Sequence, residues 1–229
     1  MEVLLVALVV GALLALALPN LHSTRIRNNE AAAARALREV VAAQEMVRGA
    51  ALVDADGDGR GEYAFLQEIS GERTPRTFTP PAGGGGPTAP LPQFRHTVLE
   101  GGEAEVCGYR FRVYLPGKGG RAVGETRAAP AGDPDPALAR SIWCAYAWPV
   151  RREGDATVAT GRRTFFVNQA GDVLAAEGAY AAVPAGDGKP AAPPPPGAAF
   201  QGAGLMETIT GAPAVGTVGR DGNAWRAVK

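Results

Sequence analysis

The sequence contains few of the residues from which catalytic and metal centres are usually built. Only two histidines and two cysteines occur in 229 residues, and neither a C-x-x-C pair nor a G-x-S-x-G elbow is present. His22 and His96 stand apart from any plausible catalytic partner in the sequence. We therefore expect that the protein is not an enzyme.

Net charge is also lacking, because 23 basic residues are balanced by 23 acidic ones. A nucleic-acid-binding domain usually carries a basic excess, so the composition indicates no nucleic-acid partner. The 31 glycines and 19 prolines predict instead a modest domain with long irregular loops.

Apolar residues are abundant at the start of the chain. Residues 1–21, MEVLLVALVVGALLALALPNL, form a nearly unbroken apolar run with one carboxylate, Glu2, and one proline, Pro19. About 20 such residues cross a bilayer, and a remainder rich in glycine and proline is poorly suited to bury this helix on every side. We therefore expect a segment that serves in a membrane or in self-assembly.

The order of features in this segment is specific: a glutamate, an apolar run, Pro-Asn-Leu and the phrase NEAAAARALREV. Over roughly its first 50 residues the chain resembles type IV pilins and type II secretion pseudopilins. The resemblance implies a structural subunit of a homo-oligomeric helical filament. Such a subunit is processed by a prepilin peptidase and held in the inner membrane as a single-pass protein. An assembly platform then adds it to an extracellular or periplasmic filament.

The same resemblance implies roles for two residues. The carboxylate of Glu2 pairs with the N-terminal amine of a neighbouring subunit, and Pro19 lets the helix bend or melt locally in the filament. The family carries a short basic leader before this segment, and Met1 stands where the family has its fourth mature residue. We therefore expect a leader upstream of Met1.

Two other interpretations of the apolar segment remain open. Residues 3–14 suit the apolar region of a secretory signal peptide, with cleavage after Ala17 giving a secreted soluble protein. Alternatively, the segment anchors a monomeric, exported module that binds calcium or another ligand. All three interpretations export the remainder of the chain.

The next segment, residues 22–53, is predicted to continue the helix with an amphipathic pattern. One stripe recurs at steps of three or four residues and consists of Ala33, Leu37, Val40, Gln44, Val47 and Ala51. Alanines around it favour helix, and the stripe suits packing on a sheet.

Immediately after this helix, the sequence DADGDGRGEY follows the D-x-D-x-D-G pattern of a calcium loop. The candidate ligands are Asp54, Asp56, Asp58, the carbonyl of Arg60, and Glu62. Phe65 stands where an EF-hand has its twelfth-position glutamate, so only a shortened Ca²⁺ loop is possible. The alternative is a solvated turn in which the carboxylates accept hydrogen bonds from local amides.

Strand patterns dominate the region from residue 107 to residue 174. Alternating residues predict strands at Cys107–Leu115 and Ile142–Val150 and a hairpin at 163–174. Together with the helix they predict an α+β fold, pilin-like, in which the long N-terminal helix packs on a small antiparallel sheet. Residues 54–182 are the predicted globular domain.

The domain contains both cysteines of the chain. Cys107 and Cys144 are most simply a disulfide, and two buried free thiols are the alternative.

After the domain, residues 183–229 are rich in proline and glycine and predict a weakly structured, exposed segment. Trp225 is its one candidate for docking on the domain.

Overall fold

The structure, a computed structural model, describes residues 2–76, 99, 101–126, 128–150, 160–178, 180 and 192–228. Within the first helix, side chains are described from Leu21 onward. The helices are α1 (Glu2–Gly49), α2 (Leu66–Ser70) and α3 (Pro136–Ala139). The strands are β1 (Ala104–Val106), β2 (Tyr109–Pro116), β3 (Ala122–Val123), β4 (Cys144–Pro149), β5 (Arg163–Asn168), β6 (Leu174–Glu177), β7 (Thr217–Val218) and β8 (Ala224–Ala227).

These strands form an eight-stranded sheet in the order β1-β2-β4-β5-β6-β8-β7, with β3 paired to β2. Every pairing in it is antiparallel. The α+β class, the long helix and the antiparallel sheet are confirmed, and the predicted strands correspond to β2, β4, β5 and β6. The sheet is larger than expected because short strands at both edges extend it.

Helix α1 packs one stripe on the first face of the sheet. Ala33, Leu37, Val40 and Val47 are nearly fully buried, as their spacing predicts. The sheet offers small residues there, since Ala145 and Ala147 of β4 belong to the same core. The Gln44 amide lies in this stripe and makes two hydrogen bonds with the backbone of Ala64, at 2.7 and 2.8 Å, so its burial leaves no polar group unsatisfied.

The second face of the sheet is covered by residues 192–228. Alternate residues of the central strands, including Tyr146, Trp148 and Phe166, point to this side and pack against Phe200 and Trp225. All five side chains are nearly fully buried. Trp225 therefore docks on the domain as predicted. The expectation of a weakly structured C-terminal segment is corrected for these residues, because β8 pairs with β6 inside the sheet.

The predicted disulfide is also corrected, because Cys107 and Cys144 are both free. Cys107 lies in the turn before β2, whereas Cys144 pairs with Tyr114 near the other end of that strand. Seven residues of extended chain separate those two positions by on the order of 20 Å, and a disulfide needs Cα atoms within about 7 Å. Burial raises the pKa of the Cys144 thiol, as expected of a structural cysteine rather than a reactive one.

Candidate functional site

Glu2 and Pro19, the predicted assembly residues, both belong to the continuous helix α1. Their side chains, like those of the whole 2–20 segment, lie outside the residues whose side chains are described. The contact between Glu2 and a neighbouring amine therefore stays a prediction. Within the part of the chain that the structure describes, no helix combines the length and apolarity needed to cross a membrane.

The solvent-facing side of α1 is basic along its middle. Arg25, Arg27, Arg35 and Arg38 are all exposed. None of the four forms an ion pair among the described residues. Arg35 comes eight positions after Arg27, and Arg38 comes three positions after Arg35. At these spacings the three side chains lie on one side of the helix.

These three arginines line an open groove of about 470 Å³ between α1 and the part of the sheet where β5 begins and β8 ends. Arg163 of β5 lies in the same groove, as do the small side chains of Ala31 and Ala34. We call this the arginine groove.

Among the described residues that line the arginine groove, the one carboxylate, Glu30, is already bound. It lies 2.8 Å from the Arg163 guanidinium and accepts a hydrogen bond from the backbone N–H of Arg162 at 3.0 Å. Glu30 is also buried, so its charge is used within the molecule. The groove therefore keeps three cations without partners among the described residues.

The predicted calcium loop begins just beyond the end of α1, and Asp54 organises it. The Asp54 carboxylate accepts hydrogen bonds from the backbone N–H groups of Gly57, Asp58 and Gly59, at 2.9, 3.1 and 2.9 Å. Gly59 has φ +80°, in the left-handed region that glycine adopts at little cost. The aspartates thus act as caps of a tight turn, which is the alternative that the sequence left open.

Arg140, which follows α3, supplies a cation to the same loop. Its guanidinium bridges Asp56 and Asp58, lying 2.9 Å from the Asp58 carboxylate and in direct contact with that of Asp56. Arg60, predicted as a carbonyl ligand, donates its backbone N–H to Asp58 at 2.9 Å. A protein cation therefore neutralises the two outer aspartates in this structure.

The three aspartates nonetheless remain close enough to share a metal ion, since one oxygen atom of each lies within 4.8 Å of the others. Glu62 is not part of this set. Its side chain is fully buried, accepts a hydrogen bond from the Ala55 N–H at 2.9 Å and lies 3.8 Å from the guanidinium of Arg76. Burial raises the pKa of the Glu62 carboxyl, and the Ala55 N–H and Arg76 oppose that shift. The set that suits Ca²⁺ is thus the half-buried Asp54 and the exposed Asp56 and Asp58, without the predicted glutamate.

Glu62 belongs to a group of buried acids whose other two members, Glu68 and Glu125, the sequence did not reveal. Glu68 accepts hydrogen bonds from the backbone N–H of Phe65 at 2.7 Å and from Arg76 Nε at 3.0 Å. Glu125 accepts from the backbone N–H of Gln67 at 3.1 Å and lies 3.6 Å from Arg73. Glu62, Glu68 and Glu125 are all buried, and we call them the buried glutamates.

Glu125 has the most perturbed carboxyl of this group. Burial raises its pKa to about 7, against the lowering effects of the Gln67 N–H and Arg73. One of its oxygens has no hydrogen-bond partner among the described residues. No single-sequence signal marks Glu125, because its contacts lie 58 positions away.

The chain was compared with protein-family models, curated proteins and solved structures. No family model matches it, and neither a curated protein nor a solved structure matches it significantly.

Proposed function

We propose that this protein is a structural subunit of a pilus-like or pseudopilus-like filament, anchored in the inner membrane before it is assembled. The observation that carries the proposal is the single helix α1, 48 residues long, which corresponds to about 72 Å. Its buried stripe begins at Ile26 and ends at Val47. The apolar segment before it is an extension of the same helix rather than a separate element.

Physical chemistry supports this division of the helix. Burying a Leu or Val side chain stabilises a domain by about 1.5–3 kcal/mol, so the second half of α1 is firmly attached to the sheet. The apolar first half exchanges lipid for identical helices at little hydrophobic cost, because lipid tails are as apolar as leucine. A carboxylate in such a bundle is tolerated where it meets a cation. Glu2 thereby fixes the axial register of each added subunit.

The test is cross-linking in membranes of a bacterial host that expresses the full chain behind a prepilin leader. Ala12→Cys is introduced in a Cys107→Ser, Cys144→Ala background, so that cross-links report contacts between apolar halves. We expect a cross-linked dimer, since one cysteine per chain joins two chains, and Glu2→Ala should reduce it to background. The matched control is Glu39→Ala, which removes an exposed glutamate from the same helix and should leave the dimer intact.

Two outcomes would contradict the proposal. A soluble mature chain that begins near Leu18 indicates the secreted protein cleaved after Ala17. A chain that stays in the membrane but forms no oligomers indicates the tethered monomeric module. Intact mass of the mature protein separates these cases.

A second proposal is that the Asp54–Asp58 loop binds Ca²⁺. The supporting observation is the approach of the three carboxylates within 4.8 Å, a donor type that calcium prefers. Arg140 occupies two of these carboxylates, so calcium has to displace a protein cation before it binds.

A further inference from the structure

We infer that the arginine groove is the docking site for the aspartate loop, residues 54–58, of a second copy of this chain. This inference rests on the proposed filament function and names one of its subunit contacts. It starts from the three exposed arginines of α1 that have no ion-pair partner among the described residues.

A membrane surface does not account for these cations. The polar region of a bilayer is only about 5–8 Å thick on each side. Arg25 lies about 6 Å beyond Leu21 along the helix, but Arg35 and Arg38 lie about 21 and 25 Å beyond it. A helix tilt of up to about 40° shortens these heights by only a quarter. Arg27 lies about 9 Å beyond Leu21. Headgroups therefore reach Arg25 and, when the helix is tilted, Arg27, but they do not reach Arg35 and Arg38.

A nucleic acid is also a poor fit. The chain as a whole has no net charge, whereas domains that follow a phosphate backbone are strongly basic. Exposed acids are also present nearby, since Glu39 follows Arg35 by four positions on α1 and Glu177 is the register partner of Arg163 in the sheet. A compact group of carboxylates on a protein fits three clustered guanidinium groups better than an extended polyanion does.

The same chain carries such a group at the far end of α1. Asp54, Asp56 and Asp58 lie in one turn there, with one oxygen atom of each within 4.8 Å of the others. The outer aspartates keep part of their surface exposed, with 37% and 34% of the side chains of Asp56 and Asp58 accessible. A carboxylate has about four acceptor positions, so contact with Arg140 leaves some of them available.

The arginine groove and the aspartate loop lie at different heights along the axis of α1. Arg35 precedes the helix end at Gly49 by about 21 Å along the axis, and the loop follows directly. The proposed membrane anchor holds the helices of neighbouring copies parallel. Between parallel chains, contact of one groove with the loop of another copy needs an axial shift and is heterologous, so it repeats into an open polymer rather than closing into a two-fold dimer. In that arrangement the charge pattern sets the axial stagger that a filament requires.

The experiment asks whether groove and loop meet between copies. Ala31→Cys, in the groove, and Ala55→Cys, in the loop, replace exposed residues without removing a charge. Each is placed in a differently tagged full-length chain lacking Cys107 and Cys144, and the two are co-expressed in membranes. We expect a cross-link that joins the two tags. High salt should weaken it, since the Debye length falls from about 10 Å at 0.1 M to about 3 Å at 1 M.

Charge reversal supplies the decisive variant. Arg35→Glu with Arg38→Glu in the Ala31→Cys copy should reduce the cross-link at least about tenfold, because like charges then face each other. The matched control, Arg121→Glu, reverses an arginine that is exposed and lies outside the groove and should have no effect. Circular dichroism of each purified variant verifies that the domain is folded.

The outcomes separate this inference from the function on which it rests. If the Ala12→Cys dimer forms but the tags are not joined, or are joined equally well after charge reversal, the inference is wrong and the filament proposal stands. If neither cross-link forms, the filament proposal fails first. If vesicles containing phosphatidylglycerol, but not phosphatidylcholine alone, protect Ala31→Cys from labelling, the groove is a lipid surface and the inference is overturned.

Discussion

The chain places negative charge in two neighbouring environments, the exposed aspartate loop and the buried glutamates behind it. In the loop, Asp54 is satisfied by three backbone N–H groups and the outer aspartates by one arginine. Among the buried glutamates, each carboxylate has both a backbone N–H and an arginine within 4 Å. A carboxylate therefore has both a backbone donor and a cation as partners where water is excluded, whereas Asp54 in the loop is satisfied by backbone donors.

This difference follows from desolvation. A carboxylate that leaves water loses several kcal/mol of hydration, which only fixed partners offset. An exposed ion pair contributes about 0–1 kcal/mol, because water and salt screen it. Loss of an arginine partner should consequently lower the free energy of unfolding much more at the buried glutamates than at the aspartate loop.

Arg76 tests the buried side of the comparison and should give the largest effect. It lies 3.0 Å from Glu68 and 3.8 Å from Glu62, and it donates to the Tyr63 carbonyl at 3.0 Å. Removing one partner of a buried pair costs about 3–5 kcal/mol, so we expect Arg76→Ala to lower the free energy of unfolding by that amount. Urea denaturation measures it.

The matched control for Arg76 is Arg121→Ala. Arg121 pairs with Glu207 at 2.5 Å, but both side chains are mostly exposed. A change of no more than about 0.5 kcal/mol is expected there. Equal losses in the two variants would show that burial does not distinguish the two environments.

Glu125 should have the next largest effect on stability, and this effect depends on pH. Its pKa is raised by burial to about 7, from 4.5 in the unfolded chain. The folded state therefore holds a proton that the unfolded state has lost, and this group's contribution to stability decreases as pH rises from about 4.5 to 7. The decrease is about 3 kcal/mol, and it is constant above pH 7.

Glu125→Gln should remove this contribution because the glutamine side chain does not titrate. Urea denaturation of both proteins between pH 5 and 8 measures the difference, and comparison with the unmodified chain cancels the other acids. The variant should gain stability relative to the original as pH rises. An unchanged difference at every pH would mean that Glu125 is not protonated in the folded protein.

These contacts also show which parts of the molecule a sequence can predict. The buried stripe of α1 and the alternation in β2, β4 and β5 follow local periodicity, so the sequence predicts them. The partnership of Arg140 with Asp56 spans 84 positions, and no local pattern encodes it. Two cysteines in an exported chain predict a disulfide between Cys107 and Cys144, but the strand register, which decides the distance between them, is not visible in their spacing.

The C-terminal segment shows a different reason for failure. Its prolines and glycines indicate irregular backbone, and residues 192–216 do lack a helix or strand. Irregular backbone is nevertheless well packed here, because Ala198, Ala199 and Phe200 are buried against the sheet. Composition predicted the absence of regular structure but not the packing, which depends on a few apolar residues.

Arg140 tests the exposed side of the comparison and should give the smallest effect. Calcium and the Arg140 guanidinium compete for Asp56 and Asp58, so Arg140→Ala should strengthen calcium binding. Two exposed ion pairs are together worth about 1–2 kcal/mol, which corresponds to about a tenfold gain in affinity. Isothermal titration of calcium into the full-length protein in detergent measures this gain in affinity.

Arg60→Ala is the control, since it removes a nearby cation without removing a guanidinium that contacts a carboxylate of the loop. Equal calcium affinities for the original chain and the Arg140→Ala variant would mean that Arg140 does not compete with calcium. No calcium binding by either protein would mean that the loop is a capped turn and not a calcium site.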